Sequence, residues 1–191
     1  IRCLALYNAG LIKSFIPASR IIKFFLWPSL IYTTFVINSP VLATIDLPGS
    51  KIIFEPGRSI IGNTGILLSR VTYIKNSGKK SFIILDAAMN DLMRPALYGA
   101  THKILPSIKK NKNSKKIHEF VGPICESTDK FCTLNKFQKI KEKDLVVICD
   151  VGAYGMTLSS NYNLRTKPIE LLISGAKIKV IKKRQKYNEL I

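Results

Sequence analysis

Apolar and polar positions alternate in short runs through most of this chain. Segments rich in Ile, Val, Phe and Thr span Gly65 to Lys75, Lys80 to Asp86, Lys116 to Val121, Asp144 to Asp150, Pro168 to Ser174 and Ala176 to Lys182. Turn residues separate them, so each is expected to be a strand, and their spacing predicts a mainly β protein built as an antiparallel barrel or sandwich. Helical signal is weak. The best candidate is a short helix or turn at Asp91 to Tyr98, with Asp91 placed to cap it and Pro95 in its early turns. The stretch Lys103 to Lys116 holds six lysines and no acid, and reads as an exposed loop.

The first 47 residues have a different texture. Asp46 is their only acid, and an apolar run extends from Phe24 to Ile37. That run is shorter than the roughly 18 to 20 apolar residues of a spanning helix, and Pro28 interrupts it, so no transmembrane helix is expected. Arg20 and Lys23 before the run and Val41-Leu42-Ala43 after it follow the order of a secretory signal. The run nevertheless lies too far in, behind a chain that starts with Ile1.

With 191 residues, 47% hydrophobic and 22% charged, the chain has the material for one domain with a core, plus an appendage. Lys and Arg total 30 against 12 acids, a formal charge of +18. Such a charge favours nucleic acid, anionic membranes or acidic small molecules. The lysines travel with Asn and Ile, as in Lys109-Lys110-Asn111-Lys112-Asn113, which favours a solvated basic surface. The alternative is a non-catalytic basic β domain that binds nucleic acid or an anionic membrane through Lys103 to Lys116 and Lys177 to Lys186. It would place aromatics among the lysines, yet only Tyr187 stands near the second group. Cys3, Cys125, Cys132 and Cys149 form no CxxC pair and have no His beside them. Neither a metal site nor a disulfide framework is indicated, and a reducing, cytoplasmic setting is expected.

Four segments carry chemistry. Glu55-Pro56-Gly57-Arg58 ends an apolar run with a carboxylate, a glycine and a guanidinium, a set suited to an anionic ligand. In Asp86 to Tyr98, Arg94 and Tyr98 are four apart and share one face of a short helix, where both reach a single carboxylate. Val121-Gly122-Pro123-Ile124-Cys125-Glu126 breaks a strand at Gly-Pro and presents a thiol beside a carboxylate, although a lone Cys is more often a small buried residue. Asp150 to Asn163 sets Tyr154 between two glycines, as where a backbone is closely approached.

In this order the segments resemble the C-terminal part of the fold-type III decarboxylases, the ornithine, diaminopimelate and arginine decarboxylase class. Glu126 after Cys125 and the run Met89-Asn90-Asp91-Leu92-x-Arg94-Pro95-x-Leu97-Tyr98 resemble the diaminopimelate branch. The resemblance covers roughly residues 51 to 184 and implies a C-terminal β domain of the alanine-racemase type over 48–191. It also implies a lyase that takes meso-diaminopimelate to L-lysine and CO2 with pyridoxal 5'-phosphate, whose protonated ring accepts the electrons left behind.

By the same resemblance, Glu55 pairs with the ring nitrogen, while Pro56, Gly57 and Arg58 belong to the cofactor and substrate site. Arg94 and Tyr98 hold the retained carboxylate, and Tyr154 touches cofactor and substrate. Glu126 takes the distal ammonium. Cys125, as a thiol of pKa about 8.5, returns a proton after decarboxylation. This loop reaches the neighbouring subunit in the family, so a homodimer is implied, with no metal, nucleic acid or membrane partner. The family's (β/α)8 barrel, with its Schiff-base lysine, stacking His and glycine-rich loop, is not recognisable in residues 1–47. That segment is expected to be a frameshifted or truncated remnant, leaving the chain inactive alone. Thr128 stands where the family has Gly, a poor choice if the backbone there needs a positive φ, and Ala88 also replaces a common Gly.

Overall fold

The computed structural model describes residues 57–191 apart from 111, and the backbone of 21–26. Glu55, Pro56 and most of the N-terminal segment lie outside the described residues. The strands are β1 (Ile21–Leu26), β2 (Gly65–Ser77), β3 (Lys80–Leu85), β4 (Ile104–Pro106), β5 (Ile117–Val121), β6 (Lys130–Leu134), β7 (Leu145–Cys149), β8 (Ile169–Ser174) and β9 (Lys177–Lys182). Two short helices join them: α1 (Gly57–Ile61) and α2 (Arg94–Tyr98).

The strands form a curled sheet in the order β6-β5-β3-β2-β1-β8-β9, with β7 pairing β2 and β4. All six expected strands are present, and the mainly β class holds. Most of the pairings are antiparallel, as expected, and two, β1–β8 and β3–β5, are parallel. Parallel neighbours require a crossover, and the long connection from β3 to β5 supplies one, carrying α2 and β4 on the way.

β2 is the corner strand. Its first half lies between β1 and β7, and its second half pairs with β3 across an irregularity at Val71/Tyr73. Because the first half of β2 and nearly all of β7 are covered on both sides, these stretches read as continuous apolar runs rather than alternating ones. Period-2 geometry then sorts the side chains. Leu67 and Val71 of β2 join Val146 and Ile148 of β7 with Ile83, Leu85, Phe120 and Phe131 in one core. Ile66 and Leu68 join Val147, Cys149, Leu171 and Ile173 in a second core on the opposite face.

Other expectations also change. The lysine-rich stretch is not wholly a loop, since Ile104 is buried in the first core and β4 runs antiparallel to β7. Asp91 does not cap α2: Met93 occupies the cap position, and the fully buried Asp91 accepts the Ala88 N–H through Oδ2 at 3.0 Å. Pro95 does sit in the first turn. Gly99 ends the helix at φ 61, a left-handed C-cap that glycine adopts without strain.

Candidate functional site

The connection after β3 is fixed by buried polar groups. Asp86 Oδ1 accepts the Ser69 hydroxyl at 2.7 Å and the Arg70 N–H at 2.8 Å. Arg165 reaches across from the far end of the chain, donating to Asn90 Oδ1 at 3.0 Å and to the Asp86 carbonyl at 2.5 Å. Its guanidinium lies 3.8 Å from the Asp91 carboxylate. The Asn90 side chain donates in turn to the Ser160 carbonyl, and the Ser160 N–H donates back to the Asn90 carbonyl. Burial pushes the Asp86 carboxyl above its ordinary value, against the pull of Ser69 and the Arg70 amide. The network holds the segment that leads into α2, whose first residue is Arg94.

Arg94 shares a pocket with Arg58. The pocket, of about 430 Å³, is lined by Arg58, Gly62 and Asn63 from the α1 side, by Arg94 and His102 from the α2 side, and by Asp150 after β7. The two arginines that sequence places in separate segments thus meet at one cavity, where two guanidinium forks suit an anionic group. Arg94 also lies 5.8 Å from the centre of the exposed Tyr98 ring, a cation–π contact. His102 is buried, with Nδ1 2.9 Å from the Cys149 carbonyl. Burial, with a smaller push from Arg94, lowers its pKa.

Two glycines join the pieces. A Cβ on Gly152 would lie 2.1 Å from the Ile61 carbonyl oxygen, and one on Gly65 would lie 2.5 Å from Gly152 Cα. The Gly152 N–H donates to the Gly62 carbonyl at 2.9 Å. The backbone that closely approaches this glycine is therefore the end of α1. Tyr154 follows at φ 61, and Asp150 precedes at φ 61. A left-handed tyrosine is uncommon and costs about 1 kcal/mol or more, and such strain concentrates at functional segments. Its ring is half exposed but does not line the arginine pocket.

Cys125 and Glu126 stand elsewhere. Both are exposed on the β5–β6 loop, and Cys125 borders a separate cleft with Lys75, Phe82, Ile84 and Pro123. No residue lines both cavities. The loop is shaped by buried Asp129, whose carboxylate accepts the Met89 N–H at 2.7 Å and the Ile124 N–H at 2.8 Å. Burial raises the Asp129 pKa despite those two amides. A Cβ on Gly122 would fall 2.2 Å from that carboxylate, which explains the Gly of Gly-Pro. Thr128 is not among the positive-φ residues, so its side chain causes no backbone strain, and its hydroxyl faces Met89 Sδ at 3.6 Å.

Sequence reasoning passed over Arg165, Asn90, Asp129 and His102 as working residues. Each acts through a partner far along the chain, which no local pattern signals. Among the described residues no group of three or more His, Cys, Asp or Glu side chains is arranged to hold a metal ion.

A family model described as pyridoxal-dependent decarboxylase, C-terminal sheet domain, matches residues 6–152. The match thus includes most of the N-terminal segment that sequence reading set apart. Diaminopimelate decarboxylase of Aquifex aeolicus is 41% identical over 142 residues, 74% of this chain and 34% of the relative. That of Zymomonas mobilis is 45% identical over 141 residues, 74% of this chain and 33% of the relative. The crystal structure of diaminopimelate decarboxylase from Helicobacter pylori complexed with L-lysine superposes with a TM-score of 0.65 and 42% identity, covering 78% of this chain and 36% of that one. The chain spans about a third of the length of the curated relatives it matches.

Proposed function

The chain belongs to the pyridoxal-dependent decarboxylases through their C-terminal sheet domain, and we propose that it is the sheet domain of a diaminopimelate decarboxylase, which releases CO2 from meso-diaminopimelate to leave L-lysine. The observation that carries the reading is the meeting of Arg58 and Arg94 at one pocket. An amino-acid substrate with two carboxylates needs one of them held while the other leaves, and paired guanidiniums provide that hold.

The donor set also fits the cofactor's anionic end. Gly57 and Arg58 would hold pyridoxal phosphate from this domain, Tyr154 would rest against its ring, and Glu55 would pair with the ring nitrogen. The bound group would supply the electron sink for CO2 loss, and a barrel carrying the lysine would complete the site. Arg94 and Tyr98 keep the retained carboxylate in place.

Cys125 borders a different cleft from the arginine pocket and Glu126 follows it on the same exposed loop, which favours their serving the site of a second copy in a homodimer. There the Cys125 thiol would return a proton to the carbon that lost CO2, and Glu126 would accept from the distal ammonium. Free thiols at Cys125 and Cys132 accord with a cytoplasmic setting. Among the described residues no helix is long and apolar enough to cross a membrane.

Calorimetric titration of the full chain with meso-diaminopimelate tests the pocket. Charge-assisted contacts of about 1.5–3 kcal/mol each put Kd near the millimolar range. Arg58→Met and Arg94→Met should each remove the heat of binding, whereas wild-type affinity in both variants would sink the assignment.

A further inference from the structure

We propose that His102 is a positioning residue of the arginine pocket, whose bare Nε2 accepts an Arg94 N–H when a carboxylate draws that guanidinium inward. The inference rests on the reading of the pocket as a carboxylate site. Its geometry stands on three observations. The ring is 7% exposed and lines the pocket beside Arg94, Arg58 and Asp150. Its Nδ1 lies 2.9 Å from the Cys149 carbonyl, which can only accept, so Nδ1 carries the hydrogen. Nε2 is then an acceptor in the neutral ring, and it is buried with no hydrogen-bond partner.

A buried acceptor without a donor is destabilising, and few survive in native structures without a role. Water does not reach Nε2, so a ligand atom arriving from solvent does not meet it directly. The donor must come from a side chain of the pocket wall. The lining donors are Arg58, Ser59 and Asn63 on the α1 side and Arg94 and Thr101 on the α2 side. Of these, Arg94 has a fork that can serve a carboxylate and Nε2 together from the side that carries the ring. Arg94 sits on the same wall, with its guanidinium toward the exposed Tyr98 ring, a weak contact that a bound carboxylate would outcompete. Turning inward, Arg94 offers one N–H edge to the carboxylate and another to Nε2. A protonated His102 would present a donor and a positive charge to Arg94 instead, so the arrangement requires the neutral ring that burial favours.

Two variants separate this role from simple packing. In His102→Asn the side-chain amide still reaches the Cys149 carbonyl but nothing occupies the Nε2 position. In His102→Gln the longer side chain returns a polar acceptor near it. The full chain, labelled with 15N in His and Arg, is titrated with pimelate, a dicarboxylate without amino groups. We expect the His102 Nε2 resonance to move upfield on saturation in the wild type and to stay put in Arg94→Met. His102→Asn should weaken pimelate about five- to tenfold, the loss of one hydrogen bond, and His102→Gln should recover most of it.

An unmoved Nε2 resonance, or wild-type affinity in His102→Asn, overturns the proposal. So does an equal loss in both His102 variants, which would assign the ring to the fold alone. If Arg58→Met and Arg94→Met lose pimelate while His102→Asn does not, the carboxylate pocket stands and only the His102 role falls. If the wild type binds neither pimelate nor meso-diaminopimelate, both fall. If His102→Asn weakens meso-diaminopimelate but leaves pimelate untouched, the acceptor serves a ligand ammonium, and the Arg94 role is refuted.

Discussion

Replacing Asp129 should loosen the loop that carries Cys125 and Glu126, and the size of the effect follows from what its carboxylate holds. One oxygen accepts the Met89 N–H and the other the Ile124 N–H, at 2.7 and 2.8 Å, and the residue is 3% exposed. In Asp129→Asn the amide oxygen keeps one of these donors, while the new NH2 confronts the other. One buried N–H is left unpaired, at a cost of about 1–3 kcal/mol, and Asp129→Ala strands both for roughly twice that. With a urea slope of about 2 kcal/mol per molar, the unfolding midpoint should fall by about 0.5–1.5 M in Asp129→Asn and by about double in Asp129→Ala. Amide exchange at Met89 and Ile124 should accelerate in step, while Ser127→Ala, on the exposed part of the same loop, should change neither. A midpoint for Asp129→Asn within about 0.2 M of wild type, or equal effects of Asn and Ala, would refute the reasoning.

Gly152→Ala sets a Cβ 2.1 Å from the Ile61 carbonyl, so α1 must shift; thermal unfolding should drop by several degrees, from a strain of about 1–3 kcal/mol, and Arg58-dependent binding should weaken. Leu67→Ala, at a fully buried position in the first core, should lower stability by about 2–5 kcal/mol in urea unfolding. His102 and His118 both have pKa values pushed below 6.5 by burial, so the unfolded chain takes up protons first as pH falls. Stability should therefore decline as pH drops below about 6.5, and His118→Phe, seated between Phe120 and Phe137, should remove part of that slope in pH-dependent melting. The Cys132 thiol, pushed up to about 11 by burial, should react with iodoacetamide far more slowly than exposed Cys125, as peptide mapping would show.

Strands were legible in this sequence wherever apolar runs were bounded by turn residues, and the first half of β2 and β7 were clearest because both faces are buried there. β4 was hidden because three residues ending in Pro106, among lysines, carry no periodic signal; burial of Ile104 decides their state. The site divides along the same line. Arg58, Arg94 and Tyr98 could be singled out from their own segments, and so could Cys125 and Glu126. Their supports could not: Asn90 meets Arg165 across 75 residues, and Asp129 meets Met89 across 40. A short polar side chain looks like a turn former until its distant partner is known. Asp91 shows the cost, since it read as a helix cap and is a buried anchor.

We propose that this chain completes a diaminopimelate decarboxylase, and joining it to the cofactor-binding barrel of the Aquifex aeolicus relative tests that most directly. The chimera, charged with pyridoxal phosphate, should release CO2 from carboxyl-labelled meso-diaminopimelate, and Arg94→Met or Cys125→Ala should each suppress the release. A folded, cofactor-loaded chimera that releases none, or one whose activity ignores both substitutions, would contradict the account.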